Sequence, residues 1–365
     1  MKTKLGLAVL LIALTGAAGH LNAQEKDNVK PGEGKSSQAG QELIAKNMLA
    51  YQRSSGGWPK HINNVKVDYT RKLSAGDEAA VKDDASRNDA TIDNGATVKE
   101  VRFLAEQYKL SGNKAYLDAA EKGISYLLKA QYNNGGWPQF FPDTSGYRKH
   151  ITYNDNAMIN VLNLLNDVSA GAGALSAVDK TLSAASKIAV EKGIECILNT
   201  QVKVGGKLTA WCAQHDKNTL LPAKARSYEL VSLSGSESVG ILQFLLSQPN
   251  PSERMKAAIT AGVNWLNAVQ IKGIKYEVVP DATKARGYDR LLVKDPSSVI
   301  WARFYEVDTN EPFICGRDGV KIKDLKDLEY ERRAGYAWYG TWAKSLLDKY
   351  PAWAALNVIN STPAK

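Results

Sequence analysis

Apolar positions along the chain fall into helical stripes that end at glycine-containing stops. Val98, Val101, Leu104, Ala105 and Tyr108 recur at helical spacing until Ser111-Gly112 ends the run. Leu117, Ala120, Ile124, Leu127 and Leu128 form the next stripe, and Met158, Ile159, Leu162, Leu165 and Val168 another. These aliphatic stripes predict core-facing helices. Strand signals are few and short, as over residues 274–279. Two of the stops are near copies, Gln52-Arg-Ser-Ser-Gly-Gly-Trp-Pro59 and Gln131-Tyr-Asn-Asn-Gly-Gly-Trp-Pro138. In each, Gly-Gly ends a helix and the residue before proline is driven to extended backbone. A weaker copy runs from Gln201 through Gly205-Gly206 to Trp211, and a fourth spans Trp265 to Gly273 around Gln270. The four glutamines are 79, 70 and 69 residues apart, a period that fits a helical hairpin plus a connecting loop. The expected fold is mainly α: an α/α toroid, an incomplete barrel of repeated helical hairpins with long loops and a few short strands. Loops leading from outer to inner helices then open on one face, where a site is expected.

The N-terminus changes the reading of charge. Lys2 and Lys4 precede an apolar segment over 5–18, and Leu21-Asn22-Ala23 offers a small-residue cleavage point. Residues 1–23 thus read as a secretory signal peptide, too short for a membrane span. Residues 24–39 read as a flexible polar leader, and 40–365 as one domain. The whole chain carries a net charge of +9, and losing two lysines with the signal peptide leaves +7. That balance favours a polyanion, and export argues against nucleic acid. The expectation is a secreted or periplasmic monomer without stable membrane insertion. Cys196, Cys212 and Cys315 are odd in number, so at least one is free or bonded to another chain. Cys196 reads as a small buried hydrophobe, and Cys212-x-x-His215 lacks a second pair for structural zinc.

Two acidic motifs follow the Trp-Pro turns at what read as equivalent repeat positions. Asp93-Asn94-Gly-Ala-Thr97 opens one helix and Asn154-Asp155-Asn156 the next. Two readings stand for Asp93 and Asp155: helix N-caps, or oxygen ligands on one rim suited to Ca²⁺ or a sugar. The second half places guanidinium groups in loop-like segments: Lys224-Ala-Arg226, Trp301-Ala-Arg303-Phe-Tyr305, Gly316-Arg317-Asp-Gly319 and Glu331-Arg-Arg-Ala-Gly-Tyr-Ala-Trp338. Arginine binds planar carboxylates bidentately, and neighbouring aromatics suit sugar faces. Together these residues point to an anionic saccharide.

Trp58-Pro-Lys60, Thr91-Ile-Asp-Asn-Gly-Ala-Thr97, Tyr153-Asn-Asp-Asn156 and Leu208-Thr-Ala-Trp-Cys-Ala-Gln-His215 resemble the family 10 pectate lyases. So do Lys224-Ala-Arg-Ser-Tyr-Glu-Leu230, Leu233-Ser-Gly-Ser-Glu-Ser-Val239, Arg303-Phe-Tyr305, Arg317-Asp-Gly319 and Glu331-Arg-Arg-Ala-Gly-Tyr336. The likeness runs in order from Gln41 to Tyr350. It implies Ca²⁺-assisted β-elimination on polygalacturonate. By motif, Asp155 would bind the catalytic Ca²⁺ together with substrate, and Asp93 with Asn94 would help shape that site. Arg226 would be the Brønsted base, and Arg303 and Arg317 would bind substrate carboxylates. Lys60 lies in a matching motif as a further substrate-binding candidate. The chain departs from the family at His61, where asparagine is common, and at Cys315.

Physical chemistry alone would make Arg226 a carboxylate clamp, because a guanidinium normally stays protonated. Acting as a base requires desolvation and nearby cations, such as Lys224 or Ca²⁺. Two other functions fit the residues. One is an inverting glycosidase on acidic polysaccharide, with Asp93 and Asp155 as acid and base about 6.5–9.5 Å apart. The other is a non-catalytic protein that captures acidic oligosaccharides.

Overall fold

The computed structural model describes residues 37–358. The signal segment and residues 24–36 of the expected leader lie outside the described residues. Residues 38 and 39 of that leader are already helical, because Ser37 caps the first helix through the Gly40 amide at 3.3 Å. Ten α-helices occur among the described residues. They are α1 (Gln38–Tyr51), α2 (Ala75–Asp83), α3 (Val98–Ser111), α4 (Lys114–Ala130), α5 (Ala157–Ala170) and α6 (Lys180–Thr200). The chain continues through α7 (Glu237–Leu246), α8 (Glu253–Ala268), α9 (Tyr330–Gly335) and α10 (Lys344–Asn357).

The helices form two layers of a partial ring. Helices α1, α4, α6 and α8 follow one another in the outer layer, and α3, α5, α7 and α10 in the inner one. The pairs α3–α4, α5–α6 and α7–α8 pack as hairpins across the layers. The apolar stripes dictate this arrangement. Val101, Leu104, Ile124, Leu127, Leu162 and Leu165 are wholly buried, and α7 is nearly encased because its apolar residues circle the helix. Burial of these side chains, at about 1.5–3 kcal/mol each, drives the ring together.

The glutamine–tryptophan repeat ties each layer to the next. Gln52 Nε2 donates to Gly56 O at 2.7 Å and Ala119 O at 2.9 Å, joining its own turn to α4. Gln131 makes the same pair with Gly135 and Ala189 of α6, and Gln201 with Thr209 and Ala258 of α8. The indoles of Trp58, Trp137 and Trp211 donate to carbonyls of Met48, Leu127 and Ile197 in the outer helices α1, α4 and α6. The Gly-Gly turn has a steric cause. Gly135 has φ +88°, and a Cβ there would lie 1.9 Å from Lys192 O.

The fourth repeat differs from expectation. Gln270 bonds to Asn267 instead, and the indole that donates to α8, at Leu266 O, is that of Trp301. Between them lies an antiparallel hairpin, Ile271–Pro280 against Tyr288–Ala302, longer than the strand expected over 274–279. The hairpin separates two halves of the same repeat element, which is why the sequence period breaks there. It buttresses α9: Tyr276 Oη donates to Tyr336 O at 3.1 Å, and Arg333 holds Asp289 bidentately at 2.9 and 2.7 Å.

Candidate active site

Four connections lead from outer to inner helices, and they meet at one end of the ring: residues 52–97, 131–156, 201–236 and 269–343. Backbone hydrogen bonds stitch each to the next. Ile92 N donates to Gln139 O at 3.1 Å, Tyr153 N to Ala213 O at 2.8 Å, and Gly235 N to Arg303 O at 3.0 Å. Leu233–Ser234 and Phe304–Tyr305 also pair as short strands. Residues far apart in sequence are thereby held on one rim.

Register within the repeats follows from a shared bond. The amides of Thr91, Thr152 and Ser234 each donate to the carbonyl of the repeat tryptophan, Trp58, Trp137 and Trp211, at 3.1, 3.1 and 2.8 Å. Three residues later stand Asn94, Asp155 and Glu237. Asn94 (φ 48°) and Asp155 (φ 51°) share left-handed backbone, which Asn and Asp tolerate best among non-glycine residues. This corrects the expected equivalence: Asp155 matches Asn94 and Glu237, and Asp93 matches Asn154. Neither Asp93 nor Asp155 caps a helix, since Thr97 precedes α3 and Asn156 precedes α5.

At the centre, Arg303 Nη2 donates to Asp155 Oδ1 at 2.9 Å and Glu237 Oε1 at 2.5 Å, with a longer contact to Asn154 Oδ1 at 3.3 Å. The Arg303 and Glu237 side chains are 4% and 1% exposed, and Asp155 is 28% exposed. Burial alone would lower the Arg303 pKa, but Glu237, the Tyr336 ring and Asp155 together hold it well above its ordinary value. Asp155 Oδ2 accepts from Asn154 Nδ2 at 2.9 Å, so the carboxylate is aimed by partners on both oxygens. Ser234 Oγ hydrogen-bonds Glu237 Oε2, fixing the buried glutamate.

The other expected residues line the same rim. Lys60 Nζ donates to Asp93 Oδ2 at 2.7 Å, while Asp93 Oδ1 has only a 3.4 Å contact from Asn94 Nδ2. Arg226 grips Glu229 through Nε at 2.9 Å and through Nη2, and its backbone amide donates to the same carboxylate at 3.2 Å. The Glu229 hydrogen bonds raise the Arg226 pKa further, against the pull of burial. Arg317 holds Glu331 bidentately at 2.8 Å, and its carbonyl accepts from Ser227 Oγ at 2.9 Å. Tyr147, whose phenol is pushed up by burial, lies within electrostatic reach of Arg226, Glu229 and Asp93.

Sequence reasoning did not single out Glu237, Glu229, Tyr228 or Tyr336. A signal for Glu237 was present: Thr91-x-x-Asn94, Thr152-x-x-Asp155 and Ser234-x-x-Glu237 are one pattern repeated. Nothing comparable marks Glu229, whose partner is decided by the turn from Arg226 to Glu229. Cys196, Cys212 and Cys315 are free and buried. His215 accepts from Cys212 N at 3.1 Å and bonds Leu220 O at 2.9 Å, and burial lowers its pKa to about 4. It is a neutral structural clamp for its loop.

Asp93, Asn94 and Asp155 offer hard oxygen atoms, and Asp93 Oδ1 is only weakly engaged. Among the described residues, no cluster of three or more His, Cys, Asp or Glu is built for a metal. Ca²⁺ takes six to eight oxygens, so an ion held by these residues would need water and a ligand's carboxylate to complete its shell.

The model of the pectic acid lyase family matches residues 52–347. An aspartate-to-alanine variant of the family 10 polysaccharide lyase from Cellvibrio cellulosa, in complex with trigalacturonic acid, is 38% identical. It superposes with a TM-score of 0.74, over 86% of this chain and 92% of that one. A further structure of family 10 polysaccharide lyase from Cellvibrio cellulosa is 37% identical, with a TM-score of 0.72, over 86% of this chain and 91% of that one. No curated protein matches. The two-layered helical toroid and its charged rim are those of a polysaccharide lyase. Within that class, the chain belongs to the pectic acid lyase family.

Proposed function

We propose that this lyase cleaves α-1,4-polygalacturonate by Ca²⁺-dependent anti-β-elimination, releasing 4,5-unsaturated oligogalacturonides. The observation that carries this reading is the convergence of Asp155, Glu237 and Arg303 from three different loops, on a rim that also bears Arg226 and Arg317. A uronate C5–H is acidic because C5 is α to a carboxylate. Removing it adds negative charge to a group that is already anionic, and fixed cations oppose that charge best in a water-poor site. Ca²⁺ held by Asp155 and Asp93, with Asn94 beside them, would supply the Lewis acid that neutralises the substrate carboxylate.

The chain's own residues do the remaining work. Arg303 aims Asp155, and its buried Nε, which has no hydrogen-bond partner, is a donor left for substrate. Arg317 binds a carboxylate at the rim by releasing Glu331. Lys60 orients Asp93 and serves as a further substrate contact. Arg226, as the neutral guanidine, takes the C5 proton. The C5–H electron pair becomes the C4=C5 bond as the C4–O bond breaks. The proton returns through solvent to the leaving oxygen, so no water is added. Glu229 now holds Arg226 protonated, so base action requires that pair to separate as substrate binds. Export to the periplasm or exterior accords with a polymeric substrate.

Polygalacturonate plus protein and Ca²⁺ should yield products with the ultraviolet absorbance of the conjugated C4=C5 bond. New reducing ends without that absorbance would indicate the glycosidase instead, and binding without cleavage the capture protein. Asp93 pairs with Lys60 and Asp155 with Arg303, so neither carboxyl stands free as an acid–base pair for a glycosidase would.

A further inference from the structure

Arg317 grips Glu331 with both nitrogens of one edge at 2.8 Å, and both side chains are more than half exposed. That edge can receive a substrate carboxylate only after Glu331 leaves it. A released, solvent-facing Glu331 stays ionised at neutral pH, and its charge then stands beside an incoming polyanion. Where the carboxylate goes is therefore part of how this rim opens. Hydrogen bonds from Arg317 hold Glu331 below the usual carboxylate range, and Arg332 and Arg286 add to the effect at longer reach.

Arg286 is brought here by the tip of the long hairpin. Asp281 N donates to Gly287 O and Gly287 N to Lys284 O, both at 2.9 Å, and these bonds close the tip. Tyr330, the first residue of α9, pins it to the helix: its Oη accepts from Arg286 N at 3.1 Å and donates to Tyr288 O at 2.7 Å. The Arg286 guanidinium lies across Gly335, its Nη2 3.0 Å from where a Cβ would stand. Glu331 and Gly335 are four residues apart on α9, a spacing that sets two positions about 5–6 Å apart on one helix face. Arg286 thus stands one helical turn from Glu331. It is exposed and has no ion-pair partner among the described residues. The neighbouring cations are engaged elsewhere. Arg332 is buried on the rings of Tyr228, Tyr336 and Trp338, Arg333 grips Asp289, and Lys284 Nζ lies over the Tyr330 ring.

Resting on the pectate reading, with Arg317 as its rim clamp, we propose that Arg286 is a positioning residue that receives the Glu331 carboxylate when substrate draws Arg317 away. The exchange keeps Glu331 paired, so the clamp opens without leaving a bare anion beside the polymer. The test is calorimetric binding of trigalacturonic acid, with kinetics on polygalacturonate and thermal melting. The variants are Arg286→Gln, Arg286→Lys, Glu331→Gln and the double variant Arg286→Gln/Glu331→Gln. Arg286→Gln should melt near wild type, bind the trimer about 3- to 5-fold more weakly and raise KM more than it lowers kcat. Arg286→Lys keeps the charge and should bind within about twofold of wild type. Glu331→Gln frees Arg317 without any exchange and should bind at least as tightly as wild type. Adding Arg286→Gln to it should then change nothing, because the two residues act as a pair. An equal loss in both backgrounds makes Arg286 a direct substrate contact or a structural residue and overturns the exchange. Unchanged affinity in Arg286→Gln, with an active wild type, overturns the exchange and leaves the pectate reading standing. A wild type that neither binds nor cleaves galacturonides overturns that reading and this proposal with it.

Discussion

Replacing Glu229 by Gln tests whether Arg226 is a base or a fixed cation. The amide keeps an acceptor for the Arg226 amide and side chain while removing one negative charge. Arg226 and Glu229 touch through two side-chain hydrogen bonds, and Glu229 is only 6% exposed. Unit charges about 4 Å apart interact by about 4 kcal/mol at an effective dielectric of about 20. The Arg226 side chain is 45% exposed, so solvent reduces this to roughly 1–2 kcal/mol, or about one pKa unit. Glu229 raises the Arg226 pKa, so its removal lowers it and increases the neutral fraction at any fixed pH. The expected result is a rising, base-dependent limb of kcat/KM displaced about one unit towards lower pH, with activity on that limb increased up to about tenfold. The assay is the ultraviolet absorbance of unsaturated product across pH, with Arg226→Ala alongside. An unmoved limb, with Arg226→Ala still inactive, would refute base catalysis and leave Arg226 as a carboxylate clamp.

Four further predictions follow from the same structure. Chelation should abolish turnover and added Ca²⁺ restore it; full activity in excess EDTA would remove Ca²⁺ from the mechanism. Asp155→Asn should reduce kcat/KM at least about 100-fold with a melting temperature near wild type, since Arg303 keeps Glu237; substantial residual activity would refute the central role of Asp155. His215 has a pKa of about 4 in the folded chain and near 6.5 unfolded, so the unfolded state binds more protons between those values. Stability should therefore fall as pH drops through that window, by about 3 kcal/mol, and denaturant unfolding of His215→Gln should show a flatter pH dependence. Gly135→Ala meets both φ +88° and a Cβ 1.9 Å from Lys192 O, so it should cost about 2 kcal/mol or more in unfolding experiments.

The parts of the molecule legible in its sequence are those set by short-range physics. Helical stripes need only the 3.6-residue period, and the Gly-Gly turns need only a backbone that no side chain can occupy. Three glutamines and three tryptophans therefore announced three equivalent layers. The fourth was misplaced because the hairpin between Gln270 and Trp301 interrupts the period, and its second strand lacks a clear alternating pattern. Asp93, Asn94, Asp155, Arg226, Arg303 and Arg317 were identifiable by type and motif. Their partners were not.

Arg303 meets Asp155 and Glu237 across 148 and 66 residues, and Tyr228 serves Arg226, Arg317 and Arg332 at once. Those juxtapositions exist only after the helical ring closes its loops together. Whether a guanidinium is neutralised, left without an anion or held protonated depends on burial and on neighbours brought in by folding. The sequence by itself determined a repeated helical scaffold and an inventory of charged groups suited to an acidic polymer. Only the tertiary structure decided which of those charges already face each other and which, as at Arg332, pack on aromatic rings instead.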